Sequence, residues 1–89
     1  MEIIYHHLVI KNDIPKLDKE VRKRIIFAIE TKLNIETIVY GSPLRGIMHR
    51  YWKLRVGDYR IIYTTVKNKI GIVAIGHRKD IYDIVLKRI

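Results

Sequence analysis

One segment of the chain fixes most of its fold: a predicted β-hairpin with a two-residue turn. Apolar and polar residues alternate on both sides of Gly57-Asp58, a dipeptide that suits a tight hairpin turn. The expected cross-strand pairs are Val56 with Tyr59 and Arg55 with Arg60. Because cross-strand partners share a face, Lys53, Arg55 and Arg60 should project from the same side of one sheet. Three neighbouring cations repel one another, so this face is predicted to receive an anionic partner.

Positive charge is concentrated in the second half of the chain. The 89 residues carry 18 Lys and Arg against 9 Asp and Glu, a net charge of +9. Residues 1–44 hold seven cations and six anions, a net of +1, whereas residues 45–89 hold eleven and three, a net of +8. An excess confined to one half indicates an anionic partner for that half, and nucleic acid is the commonest such partner.

The composition excludes several classes of protein. With 89 residues, of which 48% are hydrophobic, the chain is expected to form a small single domain over residues 1–89. It has no cysteine, which excludes a disulfide scaffold and thiolate metal sites and fits a reducing cytoplasm. Glu2 and His6-His7 interrupt any early apolar run, and no apolar stretch approaches the ~20 residues that span a bilayer. Neither a signal peptide nor a membrane segment is therefore predicted.

Six main elements are predicted in the order β-α-β-β-β-α. A first strand is expected from Ile3 to Ile10, and Asp18 is a suitable N-cap for an amphipathic helix from Lys19 to Leu33. A short helical turn is also predicted at residues 36–39. The hairpin strands, a third strand and a last helix capped by Asp80 are predicted at Met48–Val56, Tyr59–Val66, Ile70–Ile75 and Ile81–Arg88. The sequence thus predicts an α+β fold, a largely antiparallel four-stranded sheet with N-terminal helices and a short C-terminal helix.

The alternation within the hairpin assigns its residues to two faces. The face toward the core is expected to take Trp52, Leu54, Ile61 and Tyr63. The opposite face is expected to show Tyr51, Lys53, Arg55, Arg60 and Ile62. Gly76 is expected to end the third strand, so that His77 and Arg78 lie at a sheet edge near the same cations.

Three segments of the sequence resemble a known family. They are Leu44-Arg45-Gly46, the hairpin run YWKLRVGDYRIIY from Tyr51 to Tyr63, and the run GHRKDIY from Gly76 to Tyr82. Together they closely resemble the RelE/ParE superfamily of toxins from toxin–antitoxin modules, and the likeness extends over nearly the whole chain. The resemblance implies a RelE-like fold with one of two activities. RelE-like members are ribosome-dependent endoribonucleases that cut mRNA in the ribosomal A site, whereas ParE-like members poison DNA gyrase and lack the ribonuclease residues.

Metal-free RNA cleavage needs a general base that takes the proton of the ribose 2′-OH and cations that stabilise the charge on the phosphorane. It also needs a proton donor for the leaving 5′-oxygen and a group that holds the nucleobases in line for attack. By resemblance, Lys53 aligns with a catalytic strand lysine and Arg60 with the phosphate-stabilising arginine. Arg78 aligns with the arginine assigned as general acid or transition-state stabiliser. Because an arginine holds its proton firmly, we expect charge stabilisation from Arg78, with His77 beside it as a candidate proton donor. Tyr82 is expected to stack on an mRNA base.

Further residues are expected to bind RNA or the ribosome. They are Arg45, Arg50, Tyr51, Arg55 and Lys79. The strength of such contacts would depend on the salt concentration but not on the nucleotide sequence of the RNA. The chain departs from the better-studied family members in two places: Tyr51 occupies the position of the first of two strand lysines, and the segment from Gly76 to Tyr82 is shorter. His49 is interpreted as an ordinary loop histidine rather than a supporting group.

The expected protein is a cytoplasmic, mRNA-cleaving toxin whose partners are a RelB-like antitoxin, the ribosome and mRNA. No metal ion, small-molecule cofactor or membrane partner is expected, since His6 and His7 would lie on alternate faces of the first strand and could not share a metal. Two alternatives stay open. One is a ParE-like gyrase inhibitor, against which the retained ribonuclease residues argue. The other is an RNA- or antitoxin-binding relative whose catalysis is weakened because Tyr51 replaces a lysine.

Overall fold

The structure is a computed structural model that describes residues 2–33, 41–46 and 50–89. Three sequence-based expectations lie outside the described residues: the helical turn at residues 36–39, the start of a hairpin strand at Met48, and the placement of His49. Among the helices of these described ranges, none is both long enough and apolar enough to cross a membrane.

Five strands and two α-helices are formed in the described ranges. The strands are β1 (Glu2–Tyr5), β2 (Ser42–Pro43), β3 (Trp52–Val56), β4 (Tyr59–Val66) and β5 (Lys69–His77). The α-helices are α1 (Lys19–Ala28) and α2 (Ile81–Leu86). A π-helical turn (Val9–Asp13) and a 3-10 turn (Ile14–Lys16) lie between β1 and α1, and a second π-helical turn (Ile29–Leu33) continues α1.

The strands form one mixed sheet in the order β1-β5-β4-β3-β2. β1 runs parallel to β5, and the other neighbouring strands are antiparallel. The predicted α+β class is confirmed, with differences in detail. The two-residue β2 adds a fifth strand, and β5 continues through Gly76 to His77 instead of stopping before it. β5 also lies inside the sheet rather than at an edge, because β1 pairs with its outer side.

The first strand is shorter than the sequence indicates, and its predicted extent to Ile10 is wrong. The strand ends at Tyr5, because the His6 carbonyl accepts hydrogen bonds from the amides of Val9 at 2.9 Å and Ile10 at 3.4 Å. These bonds turn the chain into a helical segment. The rings of His6 and His7 consequently stack, with their centroids 4.4 Å apart, instead of lying on opposite faces of a strand.

The hairpin has the predicted register. Val56 is opposite Tyr59, Arg55 is opposite Arg60, and Lys53 is opposite Ile62. Gly57 has a φ of 60°, in the left-handed region that glycine enters without strain. The larger of the two hydrophobic cores in the described ranges lies between the sheet and α1. As predicted, it includes Leu54, Ile61 and Tyr63, and Trp52 packs against it.

An irregularity reverses the alternation of β5. The pairing shifts between Ile62 and Tyr63 of β4, which leaves Val73 as an extra residue of β5. Ile72 and Ile75 therefore face the same core despite a spacing of three. Residues of β5 after Val73 point to the face opposite to the one that unbroken alternation predicts.

Helices cover both faces of the sheet. α1 and its π-helical continuation bury one apolar stripe against the first face, with Ile25, Ala28, Ile29 and Leu33. α2 packs on the second face, where Ile81 and Val85 contact Leu44, Ile62 and Ala74. Gly76 permits the close approach of α2, because a Cβ atom at this position would lie 3.0 Å from Cδ1 of Ile84. The face that carries the hairpin cations is therefore partly covered by α2.

Tyr63 is fully buried, and burial raises the pKa of its hydroxyl to about 12. Since this pKa exceeds the unfolded value of 10.0, the hydroxyl contributes stability that is fully present below about pH 10 and is lost as the pH rises toward 12. In the wild type, ionisation of this hydroxyl is expected to lower the free energy of unfolding by about 1 kcal/mol near pH 11. Tyr63→Phe has no hydroxyl to ionise, so its decline should be smaller by this amount. Urea titrations of both proteins at about pH 8, 10 and 11 measure this effect. Parallel declines in the two proteins would contradict it.

Candidate functional site

Lys53, Arg55 and Arg60 define a basic face on the sheet. Their common orientation follows from the strand register, in which Arg55 is opposite Arg60 and Lys53 is opposite Ile62. Diagonal neighbours on a sheet face lie about 7–8 Å apart, so the long side chains of Lys53 and Arg60 can reach one phosphodiester between them. The register thus brings the three cations to one face, as the sequence predicts.

Lys53 borders a cleft of about 290 Å³ that it shares with Tyr82 and Arg45. Pro43 and Leu44 complete the lining. β2 pairs with β3, with Ser42 opposite Lys53, and so brings the segment that continues to Arg45 beside β3. Tyr82 lies in the first turn of α2, and 42% of its surface is exposed. A lysine, a tyrosine and an arginine from three separate parts of the chain therefore line one cleft.

The Arg60 side chain points to the hairpin turn. Its Nη1 atom donates to the carbonyl oxygens of Gly57 at 3.0 Å and of Tyr59 at 2.9 Å. Neither bond is fully buried, so an anion on the basic face can compete with the two carbonyls for the guanidinium. Arg60 lies on the predicted face, and binding a phosphate beside Lys53 would require its side chain to change rotamer.

Arg78 lies next to the same hairpin turn. Its amide donates to the Asp58 carbonyl at 2.8 Å, and its Nε atom is 4.0 Å from Oδ1 of Asp58. Both side chains are more than half exposed, so the ion pair is weak and can exchange for a stronger anion. Arg60 and Arg78 are thus gathered at one end of the basic face by the turn at residues 57–58.

His77 does not join the basic face. It is opposite Tyr59, and both side chains lie on the face that α1 covers. The extra residue at Val73 is the reason, since unbroken alternation along β5 would place His77 beside Arg60. The His77 ring contacts the Tyr59 ring edge-on at 5.5 Å, and its Nδ1 atom accepts from the Lys79 amide at 3.2 Å. His77 therefore lies on the other side of the sheet from the basic face, and its role as a proton donor stays a prediction.

The remaining expected binding residues differ in their surroundings. Arg45, Arg50, Arg55 and Lys79 are exposed. Tyr51 instead packs against the smaller core, which lies between the sheet and α2. Its carbonyl accepts a hydrogen bond from the Leu44 amide at 2.9 Å. Tyr51 is half-buried behind Leu44, which lines the cleft, and its contact with RNA stays a prediction.

A buried ion pair that sequence reasoning missed joins the chain after α2 to the segment before α1. The Nη1 and Nη2 atoms of Arg88 lie 2.6 Å and 2.7 Å from the two carboxylate oxygens of Asp13. The two residues are 75 positions apart, and no periodicity or motif in the sequence links them. Only the folded chain brings them together.

Metal ligands are not clustered in the part of the chain that the structure describes. No group of three or more His, Cys, Asp or Glu side chains within residues 2–33, 41–46 and 50–89 could hold a metal ion. The groups at the basic face that can stabilise an anion are Lys and Arg side chains.

Comparison with known sequences identifies the family. The family model described as the ParE toxin of the type II toxin–antitoxin system parDE matches residues 3–82. Toxin RelE3 of Methanocaldococcus jannaschii is 30% identical over 87 residues, and this alignment covers 93% of the present chain and 97% of the relative.

Solved structures show the same fold. The toxin–antitoxin complex RelBE2 from Mycobacterium tuberculosis matches with a TM-score of 0.79 at 22% identity, over 86% of this chain and 96% of that chain. The RelB–RelE complex from Methanococcus jannaschii matches with a TM-score of 0.71 at 29% identity, over 90% and 95% of the two chains. A mutant of the E. coli toxin RelE in the free state matches with a TM-score of 0.65 at 22% identity, over 99% and 96%. The chain therefore belongs to the RelE/ParE superfamily and is a toxin of a type II toxin–antitoxin system.

Proposed function

We propose that this toxin is a ribosome-dependent endoribonuclease that cuts mRNA in the ribosomal A site. The observation that carries the proposal is the cleft that Lys53, Tyr82 and Arg45 share beside the basic face. These side chains supply a potential base, a ring that can stack on a nucleobase and a cation for a phosphate, which are groups that cleavage at a ribose uses. The 30% identity to a toxin named RelE3 supports the same activity.

In the proposed reaction, the side chain of Lys53 acts as the general base that takes the proton of a ribose 2′-OH. The 2′-oxygen then forms a bond to phosphorus, and the bond from phosphorus to the 5′-oxygen breaks. The departing 5′-oxygen takes a proton from solvent at the open cleft, since the nearby arginines hold theirs. The products are a 2′,3′-cyclic phosphate, or its opened form, and a 5′-OH. Tyr82 would hold the neighbouring base by stacking, which keeps the 2′-oxygen in line for attack.

Arginines would stabilise the charge that develops on the phosphorane, so the proposed mechanism is metal-independent. Arg45 lines the cleft, and Arg60 and Arg78 stand at the hairpin end of the basic face. On binding RNA, Arg60 would exchange the carbonyls of Gly57 and Tyr59 for phosphate oxygens, which bind a guanidinium more strongly. This exchange would move its charge toward the reacting phosphate.

The open shape of the cleft explains why a ribosome would be needed. Tyr82 is 42% exposed and Arg45 is exposed, so the free protein surrounds only a small part of a nucleotide. mRNA held in the A site would arrive already ordered, and the ribosome would thereby supply much of the alignment that catalysis needs. The excess of cations in residues 45–89 would bind ribosomal RNA in a salt-dependent manner. The proposed site of action is therefore the cytoplasm, where mRNA is translated.

A RelB-like antitoxin is the other proposed partner, and a groove beside α1 suits such a protein. Phe27 is 67% exposed and lines a groove of about 320 Å³ between α1 and the hairpin turn. The cations around this ring are Arg24, Lys32 and Arg55. An acidic segment that inserts one apolar side chain would match both the ring and the charges. Because Arg55 also belongs to the basic face, such a segment would reach the edge of the proposed catalytic site.

Phe27→Asp is expected to weaken antitoxin binding by about 10- to 100-fold, because it removes the apolar anchor and places a negative charge where carboxylates should bind. Cutting of mRNA by the free toxin should not change. Ile10→Asp, which alters an exposed apolar residue outside the groove, is the matched control. Titration calorimetry with the cognate antitoxin measures the affinities. Equal affinity of wild type and Phe27→Asp would place the antitoxin on another surface.

Primer extension on a reporter mRNA, after brief induction of the toxin, tests the proposed activity. The reporter is present in a translated and an untranslated copy, in cells that express the wild type, Arg60→Ala or Lys23→Ala. Lys23 lies on the exposed surface of α1, so the two variants lose the same charge at different places. We expect cuts within translated codons only, produced by the wild type and by Lys23→Ala but not by Arg60→Ala.

Two other outcomes would replace the proposal. Intact mRNA with arrested growth would indicate a gyrase inhibitor, a second candidate that the ParE description of the family model supports. Intact mRNA with normal growth would indicate a protein that binds RNA or antitoxin without cutting.

A further inference from the structure

The ion pair of Asp13 and Arg88 lies where β5 continues beyond the end of β1. The Asp13 carboxylate accepts a hydrogen bond from the Ile75 amide at 2.9 Å. The Nη1 atom of Arg88 donates to the Val73 carbonyl at 3.0 Å. Two side chains thus satisfy backbone groups of β5 that β1 is too short to reach.

The same pair fastens the C-terminal end of α2. Its two parallel bonds, of 2.6 and 2.7 Å, form the bidentate geometry that fixes a guanidinium in direction as well as in position. The Arg88 and Asp13 side chains are only 8% and 4% exposed, so salt and water screen the pair weakly. Arg88 follows α2 by two residues, and Asp13 ends the π-helical turn before α1. The pair therefore ties α2 both to β5 and to the N-terminal segment.

α2 depends on contacts of this kind for its position. It has six residues, too few for a helix that is stable alone. Its first turn is seated over Gly76, where an added Cβ atom would lie 3.4 Å from Cδ1 of Ile81. Its other end is held by Arg88. Between these points α2 carries Tyr82, which lines the cleft together with Lys53.

We propose that the Asp13–Arg88 pair is a positioning device for the candidate site, which sets the orientation of α2 and thereby holds Tyr82 in the cleft beside Lys53. Neither Asp13 nor Arg88 lines this cleft, so both act through Tyr82. The effect on mRNA cutting rests on the proposed function, whereas the control of α2 does not. An apolar pair could fill the same space at similar stability, but only a bidentate charged pair fixes the direction of the helix end.

Asp13→Asn tests this proposal, because it keeps an acceptor for the Ile75 amide and removes the charge that Arg88 binds. In the purified protein, hydrogen exchange at α2 amides such as Ile84 and Val85 is expected to speed up on the order of tenfold or more, while β4 and β5 stay protected. Cutting of mRNA on programmed ribosomes is expected to fall on the order of 10²-fold. Arg88→Lys keeps the charge but loses one of the parallel bonds, so smaller changes of the same kind are expected.

A double-variant cycle with Tyr82→Ala separates positioning from general destabilisation. If the pair acts through Tyr82, Asp13→Asn combined with Tyr82→Ala should cut no more slowly than Tyr82→Ala alone. Losses that multiply, or α2 exchange in Asp13→Asn as slow as in the wild type, would overturn the proposal. If Asp13→Asn does not fold, Arg88→Lys takes its place in the same cycle. If the wild type leaves mRNA intact, the proposed function fails, and the exchange result alone decides whether the pair fixes α2.

Discussion

Lys53→Met is expected to slow the single-turnover cutting of A-site mRNA by about 10²- to 10⁴-fold. Methionine is similar in length to lysine and fills the same part of the cleft beside Tyr82 and Arg45, but it can neither accept a proton nor carry a charge. The flanking residues Trp52 and Leu54 hold β3 against the core, so the strand register should persist. Lys23→Met, on the exposed surface of α1, is the matched control and should cut at the wild-type rate.

A second substitution at the same position separates the role of a base from that of a cation. Lys53→Arg retains the positive charge but replaces the amine by a group that does not release its proton near neutral pH. If Lys53 is the base, Lys53→Arg should cut as slowly as Lys53→Met. A rate close to that of the wild type would limit Lys53 to binding phosphate and would contradict the proposed proton transfer.

Arg88→Met is expected to lower the free energy of unfolding by about 3–5 kcal/mol. The substitution leaves the Asp13 carboxylate buried without its charged partner and removes the donor to the Val73 carbonyl. For a domain of this size such a loss corresponds to a fall in Tm of at least about 12 °C. Urea and thermal unfolding, followed by the fluorescence of Trp52, measure both quantities.

Two control variants assign this loss to the buried charge. Lys87→Met, which changes the exposed neighbour of Arg88, should stay within about 0.5 kcal/mol of the wild type. Combining Arg88→Met with Asp13→Asn should recover a large part of the stability, since no unpaired charge stays buried and Asn retains an acceptor for the Ile75 amide. A loss below about 1 kcal/mol in Arg88→Met, or no recovery in the double variant, would show that the ion pair contributes little.

The hairpin was predictable because its determinants are local. Alternating residues, a Gly57-Asp58 turn and the requirement that Leu54 and Ile61 share a face leave one register. The helix after Asp18 was predictable for a similar reason, since its apolar stripe repeats at a helical period. In both cases, neighbours in sequence determine the structure.

Features that depend on contacts between distant segments were not predictable. The end of β1 at Tyr5 reflects hydrogen bonds to the His6 carbonyl, and the apolar run that follows suits a buried helical segment as well as a strand. Nothing in the amino-acid sequence distinguishes β5, with its extra residue at Val73, from a regular strand. This extra residue nevertheless determines on which face of the sheet His77 lies. The Asp13–Arg88 pair requires the complete fold, and it explains how so short an α2 keeps its place.

The candidate site was predictable in part for the same reasons. The common face of Lys53, Arg55 and Arg60 follows from the hairpin alone. The cleft does not, because it needs β2 to bring Arg45 alongside β3 and α2 to bring in Tyr82. The sequence also does not predict side-chain rotamers, as the hydrogen bonds from Arg60 to the carbonyls of its own turn show.

The cutting of mRNA by the purified wild-type protein, on ribosomes programmed with a defined A-site codon, tests the central claim most directly. We predict a 5′ fragment that ends in a 2′,3′-cyclic phosphate or its opened form, a 3′ fragment with a 5′-OH, and no cutting by Lys53→Met or in the absence of ribosomes. Intact mRNA in the wild-type reaction, together with inhibition of DNA gyrase by the same preparation, would contradict the claim.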